Sequence, residues 1–163
     1  MSTKWNKALI SGFIALTISL MTFTTSAETF RNTERYNLEN GVSLKGFDPV
    51  SYFPEGGSNP QEGSEEFALE YKGVVYNFAS QSNQDQFLSN PSRYEPTYGG
   101  WCAYAMASGA QVDIRPQFFS INGNRLHFFV SSRAKRNFDR EVEDHENRAD
   151  QFWKQISGEE PRN

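Results

Sequence analysis

The feature that most constrains the fold is a pair of short alternating runs joined by a two-residue turn. Residues 67–71 carry apolar side chains at odd positions, Lys72-Gly73 turns the chain, and residues 74–78 carry apolar side chains at even positions. A period of two is that of a β-strand with one buried face, and two such runs around a two-residue turn are typical of a hairpin. The sequence therefore predicts a β-hairpin over residues 67–78.

A second hairpin is predicted further along the chain. Residues 117–122 and 125–130 flank Gly123-Asn124, which we take as a two-residue turn. This turn fixes the register of the two strands and decides which side chains share a face. His127 then lies on the face opposite the core. The predicted core face holds four apolar residues: Phe119, Ile121, Leu126 and Phe128.

Helical patterns follow each hairpin. Residues 79–88 form a short amphipathic segment that Phe87 and Leu88 fix to the sheet and that Asn90-Pro91 ends. Together these elements predict an α+β fold: a small antiparallel sheet from two β-hairpins, with short helices and a C-terminal helical segment packed around it. The C-terminal segments with apolar residues at helical spacing are 131–142 and 144–156.

The N-terminus has the pattern of a targeting segment. Lys4 and Lys7 precede an uncharged, largely apolar run over residues 8–23, and small residues follow up to Ala27. This pattern predicts a Sec-type signal peptide over residues 1–27, cleaved after Ala27, and an exported protein that is periplasmic or secreted. The alternative is an uncleaved anchor, but the run is shorter than the roughly 20 residues that a membrane span needs. We therefore expect no stable membrane span after cleavage.

The rest of the chain has the size of one domain. We divide it into a flexible segment over 28–40, a domain over 41–157 and a tail over 158–163. Loss of the two leader lysines changes the net charge from −4 to −6. Without a basic stripe, nucleic acid is excluded as a partner. A single cysteine excludes an internal disulfide, so the fold depends on packing.

Residues 94–109 concentrate the candidate site. They contain the only cysteine, Cys102, and the break Gly99-Gly100, where the backbone can adopt conformations closed to other residues. We expect Cys102 to lie in the first turn of a helix that Gly109 ends. Unpaired N–H groups and the helix dipole favour the thiolate at that position. The alternative is that Cys102 is a small buried hydrophobe.

Four motifs in a fixed order carry a family resemblance. They are Asp48-Pro49-Val50, residues 71–80 around the first hairpin, Asn90-Pro91-Ser92-Arg93-Tyr94, and residues 98–105 around Cys102. This set resembles the YHS domain, in its exported, single-domain branch. The resemblance implies a link to heavy-metal handling, because cysteine-bearing members of that family occur beside metal ATPases and metal sensors.

The chain departs from those cysteine-bearing members. Where they carry cysteine, this sequence has Ser51, Ala79 and Asn83. A soft-metal site needs several thiolates or imidazoles, so that site is not carried over. A transition metal such as copper or zinc would instead depend on Cys102, with His127 as its predicted co-ligand. Further candidate ligands are Asp48, Met106 and His145.

Each candidate also has a structural explanation. Asp48 before Pro49 is typical of a cap where a short helix or turn begins. His127 is explained as a packed or partly exposed structural histidine, and His145 as part of the solvated face of a helix. Aromatic residues near two glycines are often core residues. The predicted ligand-binding residues are Asp48, Tyr52, Tyr98, Gly99, Gly100 and Tyr104.

Three functions stay open from the sequence. The first is an exported YHS-like binding module for a transition-metal ion or a metal-bearing small ligand, centred on Cys102. The second is a thiol-dependent enzyme or redox protein, for which no catalytic residue beyond the thiol is assigned. The third is a structural or partner-binding domain in which Cys102 belongs to the core. The sequence does not identify a protein partner.

Overall fold

This computed structural model describes residues 31–162. They contain six strands and five α-helices. The mixture confirms the predicted α+β class. The predicted signal peptide over residues 1–27 lies outside the described residues. The strands are β1 Leu38–Glu39, β2 Val42–Ser43, β3 Ser64–Tyr71, β4 Val74–Phe78, β5 Phe119–Asn122 and β6 Arg125–Phe128. The helices are α1 Gln81–Ser89, α2 Pro91–Tyr94, α3 Ala103–Met106, α4 Ser132–Phe138 and α5 Val142–Ser157.

The two predicted hairpins are present but do not share one antiparallel sheet. Strands β3 and β4 belong to a four-stranded sheet of order β1-β2-β4-β3, in which β2 and β4 run parallel. The hairpin of β5 and β6 forms a separate sheet. Its β6 strand instead pairs with the stretch around Cys102, through parallel bridges from Leu126 to Pro96 and from Phe128 to Cys102. The expectation of one small antiparallel sheet was therefore wrong in this detail.

The register of the second hairpin is confirmed. Phe119 lies opposite Phe128, and Ile121 lies opposite Leu126. The prediction of a single core face was incomplete, because β6 is buried on both faces. The ring of Phe138 from α4 packs against His127 and Phe129, with ring centroids 5.0 and 5.2 Å away. Helices α4 and α5 thus cover the face that the alternation pattern placed opposite the core.

Phe87 of α1 is the centre of an aromatic cluster. The rings of Tyr71, Tyr76, Phe78 and Tyr94 lie 4.9 to 6.3 Å from it, centroid to centroid. These contacts fix α1 against the hairpin of β3 and β4. Leu88, which we expected to help, is instead 50% exposed. Successive residues of a helix point about 100° apart, so one of the two had to turn away from the sheet.

Both ends of the described chain are packed against the fold. Tyr36 and Glu159 are buried, although they lie outside the predicted domain 41–157. The Tyr36 hydroxyl donates to Glu159 Oε2 at 2.7 Å. Within the segment 28–40 that we predicted to be flexible, residues 33–35 form a 3₁₀ turn and β1 follows. The packed part of the chain therefore extends beyond the predicted boundaries on both sides.

Candidate functional site

The Gly99-Gly100 break forms a left-handed corner. The 3₁₀ turn Thr97–Gly100 has positive φ at Tyr98, Gly99 and Gly100, with values of 54°, 59° and 87°. Three such residues in succession turn the chain sharply and require glycine where a side chain would be strained. The N-terminal segment holds this corner, because the Asn37 N–H donates to the Gly99 carbonyl at 2.9 Å and its side chain donates to Gly100 at 3.2 Å.

Cys102 follows this corner and lies in the core. It is the N-cap of the four-residue helix α3 and not, as we predicted, in the first turn. Its N–H donates to the Val112 carbonyl at 3.0 Å, and its own carbonyl accepts from the Met106 N–H at 2.9 Å. The side chain is 0% exposed. Its backbone is therefore fixed and its sulfur is shielded from solvent.

His127 lies on the strand beside Cys102, and protein groups occupy both of its ring nitrogens. Nδ1 is 2.8 Å from Thr97 Oγ1, and Nε2 is 2.7 Å from Glu146 Oε1. With both nitrogens engaged, His127 is not assigned as a metal ligand with Cys102. The order hydroxyl, imidazole, carboxylate is that of a hydrolase triad. Thr97 is only 1% exposed, however, so its hydroxyl is not accessible to a substrate.

Charged side chains surround the hydrogen-bonded pair of His127 and Glu146. Arg125 binds Asp150 through Nη2 to Oδ1 at 2.6 Å and lies 3.4 Å from a Glu146 oxygen. The Tyr98 hydroxyl donates to Asp150 Oδ1 at 2.8 Å, and its ring stacks on His127. Burial lowers the pKa of His127, while the Glu146 carboxylate acts in the opposite direction. Burial alone raises the pKa of Glu146, but the hydrogen bond with His127 and the charge of Arg125 hold that pKa below its ordinary value.

Asp48 forms a second buried polar centre. Its Oδ1 accepts from the Val50 N–H at 2.8 Å, and its Oδ2 accepts from the Ala79 N–H at 2.9 Å and from Asn83 Nδ2 at 2.6 Å. The Ser51 hydroxyl donates to the Asp48 carbonyl at 2.7 Å. Asp48 thus caps a turn rather than an α-helix. Ser51, Ala79 and Asn83, which the sequence resemblance compares with the cysteines of other proteins, therefore all bind this one residue.

Tyr52 and Tyr104 occupy different parts of the core. The Tyr52 ring packs edge-on against Phe119 and Phe128, with centroids 4.8 and 4.9 Å away. Burial raises the pKa of Tyr52, and its hydroxyl has no hydrogen-bond partner among residues 31–162. Tyr104 is half-buried and lies 5.2 Å from the ring of His145. Tyr52 therefore packs on the hairpin of β5 and β6, and Tyr104 packs on α5.

His145 is buried, so its predicted place on a solvated face was wrong. Its Nδ1 lies 2.8 Å from the Glu141 carbonyl one turn earlier, and its ring stacks on Phe138 at 5.4 Å. The neighbouring acidic residues suggested a fully exposed helix start. The helix instead rotates this position toward α4, because Ala149 and Trp153, four and eight residues later, are core residues.

The structure thus divides the predicted site residues into separate groups. Tyr98 and His127 are in contact. The backbone of Cys102 forms a bridge with Phe128, which follows His127 on β6. Asp48 has its own partners at the start of α1. Among residues 31–162, no group of three or more His, Cys, Asp or Glu side chains is placed to hold a metal ion.

Sequence reasoning missed a buried charge cluster at the chain ends, which we call the terminal clasp: Arg31, Tyr36, Glu95, Glu159 and Arg162. Arg31 and Arg162 each form an ion pair with Glu95, whose side chain is 7% exposed. Arg162 also binds Glu159 at 3.3 Å and Tyr36. Two arginines and two glutamates balance in charge. Glu95 lies two residues before the turn Thr97–Gly100 that leads to Cys102, so the clasp ties both ends of the described residues 31–162 to the candidate site.

Comparison with known proteins finds no matching family model, no matching curated protein and no matching solved structure. Across residues 31–162, every helix is too short or too polar to cross a membrane. The function must therefore be argued from the site itself.

We expect Asp48→Asn to lower the free energy of unfolding by on the order of 2 kcal/mol, because the NH2 group of the asparagine would face either the Val50 N–H or the donors of Ala79 and Asn83. Urea denaturation measures this change. Asp85→Asn is the matched control, since Asp85 is exposed on α1, the helix that carries Asn83, and accepts from Gln81. Equal stability of both variants would contradict a structural role for Asp48.

Proposed function

We propose that this chain is an exported, YHS-like domain that acts as a structural or partner-binding module, with Cys102 as a core residue. The burial of Cys102 is the observation that carries the proposal. A reactive thiol is typically a thiolate in a partly exposed, electropositive environment. Cys102 is instead shielded from solvent beneath a fixed backbone, as is usual for a free cysteine that acts as a small hydrophobe.

The surroundings of Cys102 also favour the structural function over the other two. His127, the predicted co-ligand, has its two ring nitrogens bonded to Thr97 and Glu146. Metal binding or thiol catalysis at Cys102 would require these bonds to break and the core to open. The structural hypothesis requires no such rearrangement.

The YHS-like part of the proposal is supported by the neighbourhood of Asp48. Position 51 is far in sequence from positions 79 and 83, yet all three residues form hydrogen bonds with Asp48. The Ala79 N–H and the Asn83 amide donate to the Asp48 carboxylate, and the Ser51 hydroxyl donates to the Asp48 carbonyl, so the three positions that would hold cysteines gather around one residue. Export is proposed from the leader pattern over residues 1–27.

Metal analysis tests this proposal against the metal hypothesis. We expect protein purified from the exporting compartment to carry no stoichiometric metal and to take up no cuprous or zinc ion on titration. We expect Cys102→Ala to cost about 1–3 kcal/mol of stability through the lost packing, with no other effect. Stoichiometric metal that disappears in Cys102→Ala, without a loss of stability, would contradict the proposal. Ala103→Gly is a suitable control for a packing change at the neighbouring buried position.

A further inference from the structure

The hydroxyl of Thr97 has two partners for one proton. Its Oγ1 lies 3.0 Å from the Leu126 carbonyl oxygen and 2.8 Å from His127 Nδ1. A carbonyl oxygen only accepts, so a hydroxyl that donates to Leu126 must accept from a protonated Nδ1. On the other side of the ring, Nε2 faces a carboxylate oxygen of Glu146 at 2.7 Å and donates to it. All three bonds therefore exist together only when the imidazole carries both protons.

We propose that Thr97, His127 and Glu146 form an acid-responsive hydrogen-bond switch, which we call the histidine relay. With a neutral ring, the proton is on Nε2 and bonds to Glu146, and the Thr97 hydroxyl donates to Nδ1. Protonation at Nδ1 reverses this second bond, so that Nδ1 donates to Thr97 and the Thr97 proton moves to the Leu126 carbonyl. The acid form thus adds a bond between the turn that leads to Cys102 and strand β6. The proposal does not depend on the function assigned to Cys102.

The charged groups around the ring set the range in which the relay acts. Glu146 and Asp150 face it from α5, Arg125 from β6 and Tyr98 from the turn before Cys102. The ring of His145 contacts the Phe138 ring, which also packs against His127. When His127 is charged, two cations face two carboxylates, so the cluster is balanced. Burial nevertheless keeps the pKa of His127 below its ordinary value, so that the relay reverses on the acid side of neutrality.

This arrangement also fixes the sign of the pH effect on stability. The unfolded chain binds the His127 proton at the ordinary pKa of about 6.5, and the folded chain binds it only at lower pH. Between these two pH values the unfolded state holds more protons. The free energy of unfolding must therefore decrease as the pH falls from about 6.5 toward the folded pKa.

The test is an NMR titration of ¹⁵N-labelled histidine in the full mature chain. The sequence has two histidines, so His145→Gln assigns the signals. We expect Thr97→Val to lower the midpoint of the His127 titration by about 0.5–1 pH unit. Without the hydroxyl, the charged imidazole loses an acceptor for its Nδ1–H, and this costs more than the loss of a donor to Nδ1 of the neutral imidazole. Thr97→Ser keeps the hydroxyl and should keep the wild-type midpoint.

A purely structural hydroxyl would change stability in Thr97→Val but leave the midpoint unchanged, and that result would overturn the proposal. An Nδ1 signal that never leaves the unprotonated range while the fold persists would also overturn it. Glu146→Gln provides a second test if Thr97→Val does not fold, since Glu146 is partly exposed. Loss of its charge should lower the midpoint, and an unchanged midpoint would again overturn the relay.

Discussion

Glu95→Gln is expected to lower the free energy of unfolding by about 3–5 kcal/mol, the usual cost of leaving buried charges unpaired. Glu95 binds Arg31, Arg162 and the Tyr76 hydroxyl. A neutral amide keeps the shape of the carboxylate but leaves two buried guanidinium groups with only the charge of Glu159 to balance them. Chemical denaturation with fitted m-values measures the change.

Glu160→Gln is the matched control for the terminal clasp. It removes the same charge one residue after Glu159, but Glu160 and its partner Lys154 have side chains 70% and 60% exposed. Exposed pairs of this kind contribute about 0–1 kcal/mol. If both variants lost the same small amount of stability, the clasp would not hold the chain ends to the fold.

Gly99→Ala is expected to destabilise the protein by clearly more than Gly123→Ala. Both glycines have nearly the same left-handed φ, +59° and +61°, so the backbone strain of about 1–2 kcal/mol is common to both. A Cβ on Gly99 would lie 2.8 Å from Trp153 Cη2 and 3.0 Å from the Tyr36 ring, whereas a Cβ on Gly123 meets nothing within 4 Å. Overpacking adds about 1–3 kcal/mol at Gly99 alone.

The comparison separates close packing from backbone strain. Thermal or urea unfolding of the two variants gives both values under the same conditions. Equal losses would show that the Gly99 corner needs glycine only for its φ angle. A larger loss at Gly99 would show that the N-terminal segment and α5 close tightly on the turn before Cys102.

Local sequence patterns predicted the parts of this fold that depend on neighbours along the chain. Both hairpins and the pairing of Phe119 with Phe128 follow from alternation around a two-residue turn. Glycine at positions 99 and 100 permits the positive φ that both residues adopt. Such features depend on periods and turn geometry within about ten residues.

The remaining features depend on contacts between distant residues. Arg31 and Arg162 bind Glu95 across 64 and 67 positions, and no spacing in the sequence marks that cluster. His145 and Leu88 were assigned to the wrong environments because helix periodicity alone does not say which of two adjacent positions meets a neighbouring element. Burial of His127 required helices α4 and α5 to cover strand β6, and hairpin patterns do not predict that covering.

The rate at which Cys102 is alkylated in the native protein tests the central claim most directly. The chain has one cysteine, so the signal needs no assignment. If Cys102 is a core residue, iodoacetamide should leave the folded protein unmodified under conditions that modify the unfolded chain completely, and the native rate should follow global unfolding as urea is added. Rapid alkylation of the native protein, at a rate comparable to that of the unfolded chain, would show that the thiol is accessible and would contradict this account.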